Sequence, residues 1–165
     1  MDAAEKKEQF IHAYNEYQDS IFKFFYFRVY NKEKAQELTQ DTYIKVWKYV
    51  VDGKEITYMK AFVYKVAYHL VVDYSRKKKE KSLDALLEEG IQFADQRRPS
   101  EKDRIDWIAT MQEVDKLDEK YKEIIKMRYV DGLSPKDIGN IIGSSENVVS
   151  VRLHRGLKKV KATIE

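Results

Sequence analysis

An apolar or aromatic side chain recurs every three or four residues over most of this 165-residue chain. In the first run the positions are Phe10, Tyr14, Tyr17, Ile21 and Phe24. Side chains three and four residues apart lie on one face of an α-helix, so this spacing predicts a helix with one buried side. The chain has only two prolines and six glycines, the residues that most often interrupt helices. The sequence therefore predicts an all-α protein.

A polar stretch in the middle of the chain divides the predicted helices into two groups. Residues 76–81 carry five basic residues and one acidic residue, and residues 82–103 carry six acidic and three basic residues with a proline. Such a mixed polar stretch is typical of a linker. We therefore predict two small helical domains, residues 1–81 and 104–165, joined by a linker over residues 82–103. The helices of the first domain are predicted at residues 10–30, 32–50 and 58–79. The helical pattern resumes at residue 100, and further helices are predicted at residues 118–130, 135–142 and 146–162. The helix at residues 118–130 is expected to bury the stem of Arg128.

Residues 134–162 have the proportions of a helix-turn-helix motif. Ser134 is a favourable N-cap, Pro135 suits the first helical position and Asp137 the third. A short helix would end at Gly143 and a longer one would follow, which matches the layout of that motif. The two helices are predicted to pack through their apolar residues, which are Ile138, Ile141, Ile142, Val148, Val149 and Leu153.

The longer helix is basic and offers polar side chains to a partner. Between residues 147 and 164 there are five Lys or Arg and no acidic residue. Lys and Arg neutralise phosphates, and Arg also binds guanine bidentately in the major groove. An alternative is that Lys158, Lys159 and Lys161 bind no partner and only stabilise the helix, through attraction to the negative C-terminal end of its dipole. The side chains available to duplex DNA are Ser145, Asn147, Ser150, Arg152, His154, Arg155, Lys158 and Lys159.

Basic and aromatic residues also share the less buried side of the third predicted helix. Aromatic rings stack on bases and basic side chains hold a single-stranded backbone, so this side is a candidate nucleic-acid surface. Aromatic residues at helical spacing also commonly form a core, and that alternative stays open at this point. The residues concerned are Tyr58, Tyr64, Lys65, Tyr68 and His69, followed by Arg76, Lys77 and Lys78.

Catalysis finds little support in the sequence. Cysteine is absent, the three histidines (His12, His69 and His154) are scattered, and no metal-ligand spacing occurs. The chain has no glycine-rich phosphate loop and no nucleophile motif. The sequence thus predicts a protein that is not an enzyme and uses no cofactor or metal. Its charged N-terminus and its lack of an apolar run of about 20 residues predict a cytoplasmic protein without membrane insertion.

Three stretches together resemble one bacterial protein family. They are AQELTQDTYIKVWKYV at residues 35–50, AFVYKVAYHLVVDYSRKKK at residues 61–79 and LDEKYKEIIKMRYVDGLSPKDIGNIIGSSENVVSVRLHRGLKKVK at residues 117–161. Their order and spacing resemble the sigma factors of the sigma-70 family, in the extracytoplasmic-function group. The resemblance covers nearly everything except the linker. It implies a subunit that directs core RNA polymerase to promoters and helps open the minus-ten region, while the polymerase supplies the nucleotidyl-transfer chemistry.

The resemblance also implies where the partners bind. The loop 51–56 and the third helix would face the melted minus-ten strand, with one base held in a pocket of the N-terminal domain. The C-terminal helix-turn-helix would read the minus-thirty-five element as duplex, and its domain would also meet the flap of the second polymerase subunit. The linker would run towards the active-site channel, and an anti-sigma factor would be a further partner. The residues that match the family's docking pattern for the clamp coiled coil of the largest subunit are Glu37, Leu38, Gln40, Asp41 and Trp47.

The chain departs from the family's pattern in the third predicted helix and in the last one. His69 stands where members commonly carry Asn, and histidine can both stack on a base and form hydrogen bonds with it. In the last helix, Ser150 and Val151 stand where the family has a basic and a polar residue. Fewer long polar side chains then reach the base edges, and Val151 is instead predicted to contact a thymine methyl group.

Two other functions are compatible with parts of the pattern. A stand-alone helix-turn-helix regulator would bind duplex DNA as a dimer without polymerase, which leaves the helix at residues 35–50 unexplained. A sigma-like adaptor would bind protein partners only. In that case, neutralising Arg152, Arg155 and Lys158 would leave its activity intact.

Overall fold

The computed structural model describes residues 2–77 and 101–164. The chain forms two compact units, residues 1–81 and 82–165. Every regular element in the described residues is helical, so the predicted all-α fold is confirmed. Most of the predicted linker at residues 82–103 lies outside the described residues, and the first described helix of the second unit begins at Glu101.

Three helices form the described part of the N-terminal unit: α1 (Ala3–Val29), α2 (Lys32–Val51) and α3 (Met59–Lys77). α1 begins well before the predicted start at residue 10, because Asp2 and Glu5 form a capping box. The Glu5 N–H donates to the Asp2 carboxylate at 2.8 Å, and the Asp2 N–H donates to the Glu5 carboxylate at 3.2 Å. These bonds satisfy N–H groups that have no partner inside the helix.

The turns between these helices follow local sequence signals. Tyr30 ends α1 in a left-handed conformation with φ 51°, and Asn31 caps α2 by accepting the Lys34 N–H at 2.9 Å. α2 ends at a turn in which Gly53 has φ +77°, a conformation that glycine adopts without strain. The chain therefore reverses direction twice within a short length, and the three helices can pack against one another.

Aromatic side chains fill the centre of this unit. Phe24, Phe25 and Phe27 are buried, and the Phe24 and Phe25 rings meet edge to face with centroids 5.4 Å apart. Arg28 is also buried, and its guanidinium lies 3.6 Å from the centre of the Phe24 ring and donates to the Phe24 carbonyl at 2.8 Å. The Arg28 guanidinium is thus stabilised partly by contacts within its own helix. A buried charge needs such contacts because it has lost its hydration.

The C-terminal unit contains four helices and one wider turn within its described residues, 101–164. They are α4 (Glu101–Asp115), α5 (Glu119–Ile125) continuing directly into a π-helical turn (Lys126–Val130), α6 (Pro135–Ile142) and α7 (Glu146–Ile164). The apolar residues buried between them include Ile108, Ile124, Met127, Leu133 and Ile138. α6 and α7 form the predicted helix-turn-helix.

The π-helical turn corrects the predicted continuous helix at residues 118–130. Arg128, whose stem was expected inside, is exposed, whereas Lys126 is 2% exposed and pairs with Asp115 at 2.6 Å. The wider turn closes with an i to i−5 bond from the Asp131 N–H to the Lys126 carbonyl at 3.0 Å. Lys126 lies four residues after the buried Lys122, on the same side of the helix, and the register shift that follows Lys126 leaves Arg128 outside.

Candidate functional site

Four of the five predicted docking residues lie on the outer side of α2. Residues three, four and seven positions apart on a helix are neighbours on one face, so these four form a single strip. Leu38 is the exception, because it is 5% exposed and belongs to the stripe with Ala35 and Val46 that packs inside the unit. Its role in docking therefore rests on the family resemblance alone and stays a prediction. The strip consists of Glu37, Gln40, Asp41 and Trp47.

An apolar groove of about 620 Å³ runs between α1 and α2, beside this strip. Soluble proteins rarely leave large apolar surfaces exposed, and such surfaces usually mark a binding site. Ile11, Tyr14, Ile44 and Trp47 are all exposed within it. The groove is lined by Lys7, Phe10, Ile11, Tyr14, Gln40, Tyr43, Ile44, Trp47 and Lys48.

Ring contacts between the two helices shape the groove. The Phe10 and Trp47 centroids are 5.0 Å apart, and the Tyr14 and Tyr43 rings meet edge to face at 4.9 Å. Contacts of this kind add about 1 kcal/mol each to the burial of the rings. The walls are therefore held in place before any partner binds.

Tyr43 places a polar atom among these rings. It is a buried residue, and its hydroxyl has no hydrogen-bond partner in residues 2–77 or 101–164. Loss of solvent raises the pKa of the Tyr43 hydroxyl well above its usual range, with a smaller contribution from Tyr64 and the acidic and phenolic groups nearby. The hydroxyl thus stays neutral and its burial is unfavourable.

Tyr43→Phe is expected to raise the unfolding free energy of the N-terminal unit by about 1 kcal/mol, because it removes a buried hydroxyl that lacks a partner. Urea denaturation followed by Trp47 fluorescence, in a Trp107→Phe background, measures the change. Tyr14→Phe is the control, since Tyr14 is 41% exposed and should change little. A loss of stability in Tyr43→Phe would show that the hydroxyl is hydrogen-bonded in solution.

The sequence interpretation missed two apolar residues of the groove. Ile44 lies on the side of α2 that was assigned to polar residues, and Ile11 lies outside the main apolar stripe of α1. The available signal was an apolar side chain out of phase with the buried stripe on each helix. Two such residues on neighbouring helices indicate a shared outer surface, once the pairing of the helices is known.

The predicted minus-ten surface is only partly assembled on α3. Tyr58 and Lys65 are exposed, and His69 is exposed with its ring centroid 5.9 Å from that of the half-buried Tyr68. The side chains of Arg76 and Lys77, and all of Lys78, lie outside the described residues.

Tyr64 does not belong to this surface. It is 1% exposed, and its ring packs edge to face on Phe24 at 5.7 Å. The expectation that it lies on the less buried side is wrong, because the stripe of α3 that enters the core runs through Ala61, Tyr64, Ala67 and Val71. The alternative interpretation, an aromatic residue at helical spacing forming the core, applies to this tyrosine.

A second cavity of about 380 Å³ lies at the loop between α2 and α3. Gly53 shapes the turn above it, and the Lys6 ammonium lies close to that glycine. The loop is the segment that the family resemblance associates with the melted strand. The cavity is lined by Lys6, Gln9, Val50, Gly53, Lys54, Glu55 and Ile56.

The turn of the helix-turn-helix is built as the local sequence indicates. The Ser134 hydroxyl accepts the Asp137 N–H at 3.1 Å, with Pro135 in the first turn of α6. Gly143 ends α6 with φ +77°, and the Ser145 hydroxyl caps α7 by accepting the Val148 N–H at 3.1 Å. Ser145, predicted as a DNA contact, therefore also has a structural role.

Most of the predicted minus-thirty-five residues lie on the open side of α7. Arg152 is half-buried, and the Lys159 ammonium lies 5.6 Å from the centre of the Tyr121 ring, a cation–π contact inside the unit. These two residues are therefore partly engaged by the protein itself. The remaining predicted residues, all exposed, are Ser145, Asn147, Ser150, Val151, His154, Arg155 and Lys158.

Val148 corrects the predicted packing of the two helices. It was expected to face α6, but it is 37% exposed, and Val149, Leu153 and Val160 form the buried stripe instead. Adjacent residues on a helix point about 100° apart, so Val148 and Val149 cannot both face the core. The other predicted inward residues are buried or, for Ile142, half-buried.

Two kinds of feature are missing from the part of the chain that the structure describes. No group of three His, Cys, Asp or Glu residues in it is placed to hold a metal ion. Among the same residues, no helix combines the length and the apolar character needed to cross a membrane.

Family comparisons match both units. The model of Sigma-70 region 2 matches residues 13–81, and the model of Sigma-70, region 4 matches residues 108–160. The first match contains α2, α3 and the groove residue Tyr14, and the second contains α6 and α7 up to residue 160. The two regions occur in the order that the sequence resemblance indicates.

Curated relatives support the same family over nearly the whole chain. The chain is 29% identical to the ECF RNA polymerase sigma factor SigW of Bacillus subtilis over 157 residues, covering 88% of this chain and 83% of SigW. It is 24% identical to the RNA polymerase sigma factor SigV of the same organism over 146 residues, covering 88% of this chain and 85% of SigV.

Solved structures share the fold. CnrH, solved in complex with the cytosolic domain of CnrY, matches with a TM-score of 0.71 at 17% identity, covering 96% of this chain and 88% of that chain. The sigma factor RpoE from Bartonella quintana, solved with the anti-sigma factor NepR, matches with a TM-score of 0.65 at 18% identity, covering 96% and 95%. Two matching sigma-70 regions, sigma-factor relatives and this common fold lead to one conclusion: the chain belongs to the sigma-70 family, in its extracytoplasmic-function group.

Proposed function

We propose that this chain directs core RNA polymerase to specific promoters and helps open the minus-ten region for transcription initiation. The observation that carries the proposal is the preformed apolar groove between α1 and α2, which adjoins the strip that matches the family's polymerase-docking segment. Grooves of this kind bind the apolar face of a partner helix. A regulator that acts on DNA alone would have no use for it.

In this function the outer side of α2 docks on the clamp coiled coil of the largest polymerase subunit. Ile44 and Trp47 supply exposed apolar surface for the contact. Glu37 and Asp41 lie on the same face of the helix and supply negative charge, which guides association and orientation more than it adds affinity. The docking surface therefore combines an apolar centre with an acidic edge.

The minus-ten strand would pass over α3 and its preceding loop. Tyr58 and His69 offer exposed aromatic rings for stacking, and Lys65 offers a cation for the backbone. The cavity at residues 53–56 would receive a base that has left the stack. These features support single-stranded DNA as the ligand of this side of the unit.

The helix-turn-helix would bind the minus-thirty-five element as duplex. Arg155 and Lys158 are exposed towards the C-terminal half of α7 and would contact phosphates, while Asn147 at its start would reach base edges. In the holoenzyme this unit would also meet the flap of the second polymerase subunit. Sigma factors are initiation factors rather than enzymes, so all nucleotidyl transfer belongs to the polymerase, and the protein would act in the cytoplasm without a cofactor.

An anti-sigma factor is a further proposed partner. The solved Bartonella relative is bound to an anti-sigma factor, and the fold is shared. An inhibitor that covered the groove between α1 and α2 would hide the apolar surface from solvent and keep the chain away from polymerase at the same time.

Run-off transcription with purified core polymerase tests the proposal. Adding the chain to core enzyme and a library of promoter templates should yield products that depend on both the chain and the promoter. Asp41→Arg should weaken binding to core polymerase about 100-fold and abolish the product, because it reverses the charge at the docking edge. Asp19→Arg, an equal charge change on the exposed side of α1, is the matched control. Absence of promoter-dependent product across the library would refute the proposal.

A further inference from the structure

Two valines are exposed side by side on α7. Val148 is 37% exposed and Val151 is 40% exposed. They are three residues apart, so their Cβ atoms lie about 5–6 Å from each other on one face of the helix. Branched side chains such as valine are also weaker helix formers than alanine. The pair therefore contributes neither to the core, which Val149, Leu153 and Val160 already form, nor to the intrinsic stability of the helix.

The position of the pair indicates what it contacts. Both valines lie in the first two turns of α7, directly after the capping residue Ser145. In helix-turn-helix proteins this part of the second helix enters the major groove and meets base edges. The exposed cations Arg155 and Lys158 follow further along the helix, where they suit the phosphate backbone. An exposed face with this charge favours DNA over a second apolar protein surface.

The chemistry of the major groove offers one apolar feature, the 5-methyl group of thymine. Asn147 lies four residues before Val151 on the same face, and an asparagine amide can bond adenine through N6 and N7. We propose that α7 selects A·T base pairs in the minus-thirty-five element, with Val148 and Val151 contacting thymine methyl groups. This inference rests on the proposed function, because it names what the minus-thirty-five surface reads.

Thymine and deoxyuridine differ only by the methyl group, so exchanging them tests the contact directly. A minus-thirty-five element is first selected by transcription from a randomised library with the reconstituted holoenzyme. Each thymine on both strands is then replaced singly by deoxyuridine, and promoter affinity is measured. We expect about a fourfold loss at one or two positions, the fold-change that corresponds to burial of one methyl-sized group, and no loss at thymines in the spacer.

Variants assign the sensitive positions to the valines. Val151→Ala should abolish the thymine-to-deoxyuridine difference at one position and Val148→Ala at another, whereas Val151→Ile should keep it. Neither alanine variant should change the salt dependence of binding, which Lys158→Gln should reduce by removing a phosphate contact. Alanine is a strong helix former, so both variants are expected to fold.

The outcomes distinguish a failure of this inference from a failure of the proposed function. Promoter-dependent transcription without methyl sensitivity, or a selected element with only G·C pairs under α7, would overturn the inference and leave the proposed function standing. A valine variant that lowers transcription equally on thymine and deoxyuridine templates would show that the valines contact protein, and would also overturn it. Failure of all promoter-dependent transcription would refute both.

Discussion

Gly139→Ala is expected to lower the unfolding free energy of the C-terminal unit by about 2 kcal/mol and to abolish minus-thirty-five-dependent transcription. A Cβ atom at Gly139 would lie 2.5 Å from the Ser144 carbonyl oxygen. The turn cannot easily move away, because the N–H groups of Gly143 and Ser144 both donate to the Gly139 carbonyl at 2.9 Å. Relief of the clash would displace the start of α7, and with it the residues that we propose meet the bases.

Urea denaturation followed by Trp107 fluorescence, in a Trp47→Phe background, measures the stability of this unit. Gly143→Ala is the informative control, since Gly143 has φ +77° but no atom within 4 Å of an added Cβ. Gly143→Ala should lower the unfolding free energy by only about 1 kcal/mol, the cost of holding alanine in a left-handed conformation. Alanine gains about 1 kcal/mol over glycine inside a helix, so a Gly139→Ala variant that is more stable than the wild type by about that amount would show that the turn relaxes freely.

Ile44→Arg is expected to weaken binding to core polymerase about 100-fold while the N-terminal unit stays folded. Ile44 is 53% exposed at the groove, so the unit loses little packing when it changes. A guanidinium there would have to be buried against apolar surface when the partner helix docks, which costs about 3 kcal/mol. Affinity for labelled core enzyme, measured by fluorescence anisotropy, reports the effect.

Ser20→Arg provides the control for this experiment. Ser20 is exposed on α1, on the side away from Ile11, and it does not line the groove. It should leave polymerase affinity within about twofold of the wild type, as expected for a surface change outside the interface. Equal losses in both variants would contradict docking at the groove and would indicate a general effect of added positive charge.

The start and end of most helices could be predicted because their signals are local. Ser134 and Pro135 mark the beginning of α6 by the hydrogen bond and the backbone angle they supply, and Gly143 marks its end by its left-handed conformation. The start of α1 was missed for the opposite reason. Its capping box at Asp2 and Glu5 is an equally local signal, but the apolar stripe that predicts the helix begins only at Phe10.

The orientation of individual side chains was harder to predict. Tyr64 was assigned to an exposed surface, yet its ring reaches Phe24 on another helix, a contact that depends on how α1 and α3 pack. Lys126 is the clearest case, because a lysine is rarely expected inside a protein. Its burial depends on the Asp115 carboxylate, which α4 supplies at 2.6 Å.

The sequence by itself determined the all-α fold, the helix-turn-helix and the family, because helical periodicity, caps and the quoted motifs are properties of contiguous residues. Only the tertiary structure decided which faces remain open. The groove at Ile11, Ile44 and Trp47 exists because α1 and α2 pack side by side and leave a second apolar strip uncovered. Likewise, Val148 is exposed because Val149 and Leu153 occupy the space facing the rest of the unit. Burial depends on neighbours that are distant along the chain, and no local pattern specifies them.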